Sequence, residues 1–424
     1  MKPVVAVLLA AALTVTACAQ GSDPGTTAQL TKASGVRFDE VGIDEVRGAT
    51  TELVSRTTGL GIDMLRSPDP DVNQVVSPWG AMLALQMLRA GAAGATAAEI
   101  DEALGVPDLD ALAAMIGQLD RVDGDPGEVD EDNPPTPAVF HEATGIFIDD
   151  SLKVGEDYLA ILGRTFDSGV YPVDFAASGT EAAINKWLSV NTGGQISQTP
   201  TEYDPDTVIS LLSTVFLAAA WQQPFSPGST APADFTAADG SVGEVNMMNK
   251  AVTAPWVRGS GWVGVQLPYS AGVAMQVFLP DGGGSTVDSM MNGPELIDAS
   301  KALLGAPETS VSVSLPRWDV KTAVDLKATL ERLGITDLFT GAADLTAISP
   351  QLAVTAAAQN STITVGEKGT IAASATQIDV GVTALPPEQP AETFVADRPF
   401  VFQIVDTATG LPLFLGTVGQ PGRQ

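Results

Sequence analysis

The chain of 424 residues holds one cysteine, Cys18, and one histidine, His141. A single thiol closes no disulfide within the chain, and a single imidazole builds no zinc site on paired histidines. Any nucleophilic site of the Ser-His-Asp or Cys-His kind would have to use His141. That residue falls within a predicted strand, and no G-x-S-x-G elbow accompanies it. A hydrolase is therefore disfavoured, and His141 reads as structural. Cations are scarce as well. Lys and Arg number 21 against 51 Asp and Glu, for a net charge of −30. Such a surface repels nucleic acid and anionic membrane and offers no basic stripe to a polyanion. No nucleic-acid partner and no cofactor are expected. Long hydrophobic runs are missing too. The apolar stretch Val4–Val15 is too short to span a bilayer comfortably. No internal repeat is found, and no linker divides the chain after residue 36.

What is present is enough apolar residue, 45% of the chain, for a sizeable core. Met1-Lys2, the run Val4–Val15 and Val15-Thr16-Ala17-Cys18 together have the form of a bacterial lipoprotein signal. On that reading residues 1–17 are removed, and Cys18 carries acyl chains. The protein would be secreted across the cytoplasmic membrane and lipid-anchored at the cell surface. An ordinary secretory signal with an incidental cysteine is the other reading. Residues 18–35 read as lipid anchor and flexible tether, and residues 36–424 as one α+β domain.

Within that domain the pattern alternates between helix and strand. Glu40–Leu65 reads as mostly helix, and Val75-Val76 as a short strand stopped by Pro78. Trp79–Ala93 has apolar residues at helical spacing and reads as buried. Thr96-Ala97-Ala98-Glu99 has the form of a capping box opening a helix that ends near Gly105. Asp123–Pro137 is an acidic, exposed loop. Ala138–Ile148 reads as a strand, and Glu156–Phe166 and Thr180–Val190 as helices. Val208–Leu217 carries no charge, as befits a strand buried on both faces. Val263–Leu267 and Ala274–Leu279 read as a hairpin, and Leu326–Leu333 as a helix closed by Gly334.

The most telling stretch is Glu367–Thr376, E-K-G-T-I-A-A-S-A-T. It follows a predicted strand, Ser361–Val365, and precedes an exposed segment, Gln377–Thr393, and an apolar strand, Phe400–Val405. Gly369 offers hinge freedom. If the stretch became a central strand, one face would present Thr370, Ala372, Ser374, Thr376 and Ile378. None is charged, so no costly desolvation opposes burial, and none is proline, so no ladder donor is lost. Gln377 and Asp379 fall on the other face.

With this loop, a series of segments resembles the serpins, inhibitors of serine proteases. The series comprises Ser77-Pro78, Gly91–Ala95 with Thr96–Ile100, Ile184-Asn185-Lys186-Trp187, Thr192–Ile196, Trp221-Gln222-Gln223-Pro224-Phe225 and Met247-Met248. It continues with Leu267-Pro268-Tyr269, Phe278–Asp281, Leu315-Pro316-Arg317, Leu333–Phe339, Ala396–Phe400 and Gly416-Thr417-Val418. Each is weak alone; their order over most of the chain is what carries the resemblance. It implies a single α+β domain with a large mixed main sheet, two further sheets, surrounding helices and an exposed reactive loop.

The resemblance also implies roles. Glu367, Gly369, Thr370, Ala372, Ser374 and Thr376 would form the hinge. Ser77, Ser213, Trp221 and Gln359 would lie where the main sheet parts. The family usually has Asn and His there in place of Ser213 and Gln359, and a second Ser in place of Gly80. Family spacing from Gly369 places the cleaved bond at Thr383–Ala384, with Val382 and Leu385 as neighbouring choices. Gln377–Thr393 contains no Lys or Arg, so a trypsin-like pocket has nothing to bind, whereas elastase-like or subtilisin-like pockets do. The partner implied is a serine protease, met by a monomer. The rival reading within the same fold is a non-inhibitory binding lipoprotein, whose loop is cut without trapping.

Overall fold

The computed structural model describes residues 28–66, 73–106, 108–130, 133–199, 203, 205–282, 286–350, 352–370 and 390–422. Nine α-helices occur among them: α1 (Arg47–Met64), α2 (Pro78–Arg89), α3 (Gly94–Leu104), α4 (Leu109–Leu119), α5 (Glu156–Phe166), α6 (Thr180–Asn191), α7 (Val287–Met290), α8 (Gly293–Gly305) and α9 (Leu326–Arg332). The strands are β1 (Gln74–Val76), β2 (Val139–Asp149), β3 (Tyr171–Val173), β4 (Ile209–Ala220), β5 (Ala231–Thr236), β6 (Val242–Arg258), β7 (Trp262–Pro268) and β8 (Val273–Pro280). They continue with β9 (Glu308–Pro316), β10 (Trp318–Asp325), β11 (Ala356–Val365), β12 (Gly369–Thr370), β13 (Glu392–Val395), β14 (Phe400–Asp406) and β15 (Pro412–Val418). No helix of the described residues is long and apolar enough to cross a membrane.

Six strands form the main sheet in the order β10-β11-β12-β4-β2-β3. It is mixed, because β11 runs parallel to β4 and β2 parallel to β3. The two further sheets expected are joined by β6. This strand pairs with β9 over Met247–Pro255 and with β7 over Trp256–Arg258. Together they make a nine-stranded array that runs from β1 to β13, with β5 on β6.

Between the sheets lies α2. Ser77 caps it by accepting from the Gly80 amide, and Pro78 occupies its first turn, where no donor is lost. Every residue from Pro78 to Leu88 is buried, and apart from Gln86 the helix is apolar all round because sheets cover it on both sides. β4 is the matching case among strands, since it is buried from Ile209 to Ala219 and free of charge. In α5, Glu156 and Asp157 in the first turn and Arg164 in the last complement the helix dipole, and Asp167 ends it in the left-handed region.

Two local expectations change. The helix containing Thr96 and Glu99 starts at Gly94, without a capping box. Thr96 accepts from the Asp344 amide instead, and Glu99 accepts from the amides of Thr336 and Asp337. The two side chains thus satisfy a distant loop rather than their own helix. Residues 28–35, read as tether, lie against the body. Thr31 pairs with Val170 and Ala28 is buried beside Tyr171 and Phe175.

Candidate functional site

β11 ends at Val365 and a tight turn reverses the chain at once. Gly366 N–H donates to the Gly369 carbonyl at 3.0 Å. Gly369 and Thr370 then enter the main sheet as β12, between β11 and β4. Gly369 pairs with Ala220, Thr370 with Ala219, and Thr370 also faces Val365. Below them β11 and β4 pair directly, from Ala356–Ser210 to Asn360–Thr214. The two strands are therefore joined at one end and parted at the other, and the first two residues of the loop fill the gap. Gly369 is needed there for closeness, not for a special dihedral. A Cβ on it would lie 2.0 Å from the Ala219 carbonyl oxygen.

Several groups hold the turn in place. Trp221 N–H donates to the Lys368 carbonyl at 2.9 Å, and its indole Nε1 to the Gly366 carbonyl at 2.8 Å. The indole stacks on Tyr269, with ring centroids 4.2 Å apart, and the Tyr269 hydroxyl bonds Thr370 Oγ1. Burial pushes the Tyr269 phenol well above its ordinary pKa, so it stays a neutral hydrogen-bonding group. Glu367 is anchored more strongly. Its Oε1 accepts from Arg317 Nε at 2.8 Å, from Arg317 Nη2, and from Thr230 Oγ1 at 2.6 Å. Burial pushes this carboxyl up, but the Arg317 and Thr230 hydrogen bonds outweigh it and hold it below the usual carboxylate range.

Farther down the seam, Gln359 stands directly opposite Ser213 in the β11–β4 register. Gln359 is committed elsewhere. Its Oε1 accepts from Ser77 N–H and its Nε2 donates to the Ser77 carbonyl, both at 2.8 Å. Ser361 adds a 3.3 Å bond to the same oxygen. Ser213 Oγ is buried and has no hydrogen-bond partner among the described residues. Gly80 explains its room, because a Cβ at position 80 would sit 2.6 Å from that hydroxyl. The pair at the centre of the seam thus ties β11 to the start of α2 and leaves β4 held by backbone bonds. Both strands turn their odd-numbered residues to the core, as do Ala357, Ile363 and Val365 on β11 and Ile209, Leu211 and Val215 on β4.

Of the expected site residues, Ser77, Ser213 and Gln359 come together, and Trp221, Glu367, Gly369 and Thr370 meet at the upper end of the gap. Cys18, Ala372, Ser374, Thr376, Thr383 and Ala384 lie outside the described residues. Tyr269, Arg317 and Thr230 belong to the site without having been singled out. The first two sit in segments noted for order alone, Leu267-Pro268-Tyr269 and Leu315-Pro316-Arg317. No local pattern marks Thr230. Among the described residues no cluster of His, Cys, Asp and Glu side chains is placed to hold a metal.

Comparison with known proteins agrees with this architecture. The family model described as serpin, serine protease inhibitor, matches residues 58–421. The chain is 32% identical over 287 residues to an alpha-1-antiproteinase of Mus saxicola, covering 66% of this chain and 68% of that protein. It is 29% identical over 362 residues to an alpha-1-antiproteinase of Rattus norvegicus, covering 83% and 84%. The crystal structure of tengpin, a thermophilic serpin in the native state, superposes with a TM-score of 0.77 at 26% identity, over 92% of this chain and 99% of that one. Thyroxine-binding globulin shares the fold, with a TM-score of 0.71 at 22% identity over 87% and 99%. The extent of the family match, with the same architecture in solved relatives, places this chain in the serpin family.

Proposed function

We propose that this protein is a suicide inhibitor of serine proteases of the elastase-like or subtilisin-like kind, and not itself an enzyme. The target's serine oxygen adds to the Thr383 carbonyl carbon. The Thr383–Ala384 bond breaks, Ala384 leaves as the amine, and an ester joins Thr383 to the protease. The freed hinge side then continues down the seam as a strand and carries the ester away. Inhibition is a race between that insertion and hydrolysis of the ester. Insertion of serpin loops is an established strain-releasing switch.

The observation that carries this reading is β12, two residues of the loop already seated between β11 and β4. Extended one residue at a time, its register sets Ala372 opposite Leu217, Ser374 opposite Val215 and Thr376 opposite Ser213. On the other side, the same steps set Thr376 beside Gln359. All would face the core, as Thr370 does. Thr376 would then offer a hydroxyl to the unpartnered Ser213 Oγ. Each β11–β4 backbone pair lost would be replaced by pairs on both edges of the new strand.

The N-terminal segment fits the same reading. Acylation at Cys18 would hold the monomeric inhibitor at the outer surface of the cytoplasmic membrane, with two acyl chains anchoring firmly where one would not.

The test is incubation of the purified protein with elastase-like and subtilisin-like proteases. An SDS-resistant complex of the protease with the part of the chain ending at Thr383, accompanied by a released peptide whose N-terminus is Ala384, is the expected result. Cleavage in the loop with full recovery of protease activity would instead support the non-inhibitory binding lipoprotein.

A further inference from the structure

The one histidine lies outside the hinge, yet it is built into the machinery around the seam. His141 sits on β2 opposite Phe216 of β4, a few residues below the point where β12 enters. Its Nδ1 lies 2.8 Å from Asp123 Oδ1, and its Nε2 lies 3.1 Å from Asn191 Oδ1. Asn191 is the last residue of α6, and its own Nδ2 donates to the Trp187 carbonyl at 2.8 Å. That bond fixes the amide. Turned over, it would set oxygen against oxygen at Trp187. Both ring nitrogens therefore face acceptors, a carboxylate and an amide oxygen. Only an imidazolium, with a hydrogen on each nitrogen, satisfies both. A neutral ring must give up one of the two.

The helix it holds straddles the seam. Ile184, Trp187 and Leu188 of α6 pack in one cluster with Phe147 of β2, Leu212 of β4 and Ala358 of β11. Parting β4 from β11 requires this packing to slide. The His141 bond fastens the end of α6 to the β2 side and to the segment carrying Asp123. Gly193, just past the helix, is close to the same segment, since a Cβ there would lie 2.7 Å from the Pro126 carbonyl oxygen.

We propose that His141, charged and bridging Asp123 to Asn191, is a pH-dependent latch that holds α6 across the seam and slows its opening until the proton is lost. The latch stands on this geometry alone, while its effect on opening rests on the inhibitory reading above. Burial pushes the imidazole down, but the bonds to Asp123 and Asn191 and the charges of Asp123 and Glu142 outweigh it and raise it above its ordinary value. A raised folded-state value means that the latch contributes fully below the ordinary imidazole range. That contribution is lost as pH rises through the folded value.

The charged group facing the ring is Asp123, and Glu142, the next residue on its own strand, acts on it from the other face of the sheet. Burial pushes Glu142 up to about 7. β4 and β3 carry no charged residue. α6 carries Glu181 and Lys186, both a turn or more before Asn191. α2 carries only Arg89, which is paired with Asp101. The short turn Asp120–Val122 brings Asp120 and Arg121, the latter paired with Asp406. Beyond Asp123, Asp125 accepts from the Gly127 amide.

A single histidine makes the test direct, because the full chain labelled with 13C-histidine gives one imidazole resonance. It should titrate above the usual pH of about 6.5, and D123N should bring it to that value or below. Hydrogen exchange in the last turn of α6, corrected for intrinsic rate, should be several-fold faster at about pH 8.5 than at about pH 6. H141Q should abolish that difference. An imidazole titrating at or below the ordinary value in the unaltered chain overturns the proposal. So does a pH dependence of α6 exchange that persists in H141Q. Neither readout involves a protease, so either failure leaves the inhibitory reading intact. In the trapping assay, a loop that inserts no faster at the higher pH, relative to H141Q, removes the link to the seam.

Discussion

Position 369 shows how one missing atom shapes the site. The sequence marks Gly369 as a hinge by its conformational freedom, but its backbone stays out of the left-handed region. What demands glycine is the Ala219 carbonyl, 2.0 Å from where a Cβ would be. A methyl group there must displace backbone, which costs roughly 1–3 kcal/mol. Gly369→Ala is therefore expected to expel β12 from the sheet. Hydrogen exchange checks it: amides at Thr370 and Ala219 should lose protection while those of β4 below Thr214 keep theirs. The reason for this glycine was not legible in the sequence, since Ala219 lies far from it along the chain. Thr96 and Glu99 are similar. Their spacing is that of a capping box, and only the folded chain shows the residues around Asp337 and Asp344 competing for the same oxygens. Of the group expected on family order where the sheet parts, Ser77, Ser213 and Gln359 lie together, whereas Trp221 stands with the hinge turn at Gly366 and Lys368.

At the scale of elements, the stretch that the proposed mechanism would insert and the seam between β11 and β4 have matching chemistry. β4 offers an uncharged edge from Ile209 to Ala220, and the core side of the seam is lined by Ile363, Ser361, Gln359, Val215 and Ser213. The register carried down from β12 brings Thr376 to the Ser213–Gln359 pair. A guanidinium there would be buried without a counter-charge, at a cost of several kcal/mol. Thr376→Arg is thus expected to leave cleavage intact and stop insertion early. On a denaturing gel, the protease complex should fall about tenfold or more, with cleaved protein in its place. Elements with strong internal pattern were readable in advance. The α5 boundaries and the charge-free β4 needed no partner to identify them. The helix Leu109–Leu119 went unread, although Asp108 caps it by accepting from the Ala111 amide. β12 could not be read at all, because a strand of two residues exists only through its neighbours.

For the whole molecule, the main sheet is parted only at the end where β12 enters, and below it β11 and β4 still pair directly. On the proposed mechanism a strand inserted after a cut would exchange the β11–β4 ladder for one on each of its edges, a net gain of one ladder, each hydrogen bond contributing a net of about 1 kcal/mol against the cost of ordering the strand. Protein nicked at Thr383–Ala384 is expected to melt roughly 10 °C or more above the intact form. Paired calorimetric scans decide this. Equal melting temperatures would mean that the cut loop stays outside.

Such a rearrangement needs something to move against, and β6 supplies it. Its 17 residues belong to both halves of the nine-stranded array, held by β9 and β5 along one part and by β7 along the other. At about 3.3 Å per residue it is a beam of roughly 55 Å, none of whose ladder bonds lies in the main sheet. The molecule has a chassis as well as a moving part. If the proposed trapping takes place, the load that a captured enzyme puts on the travelling strand would be borne by a frame with no ladder bond in the sheet that opens.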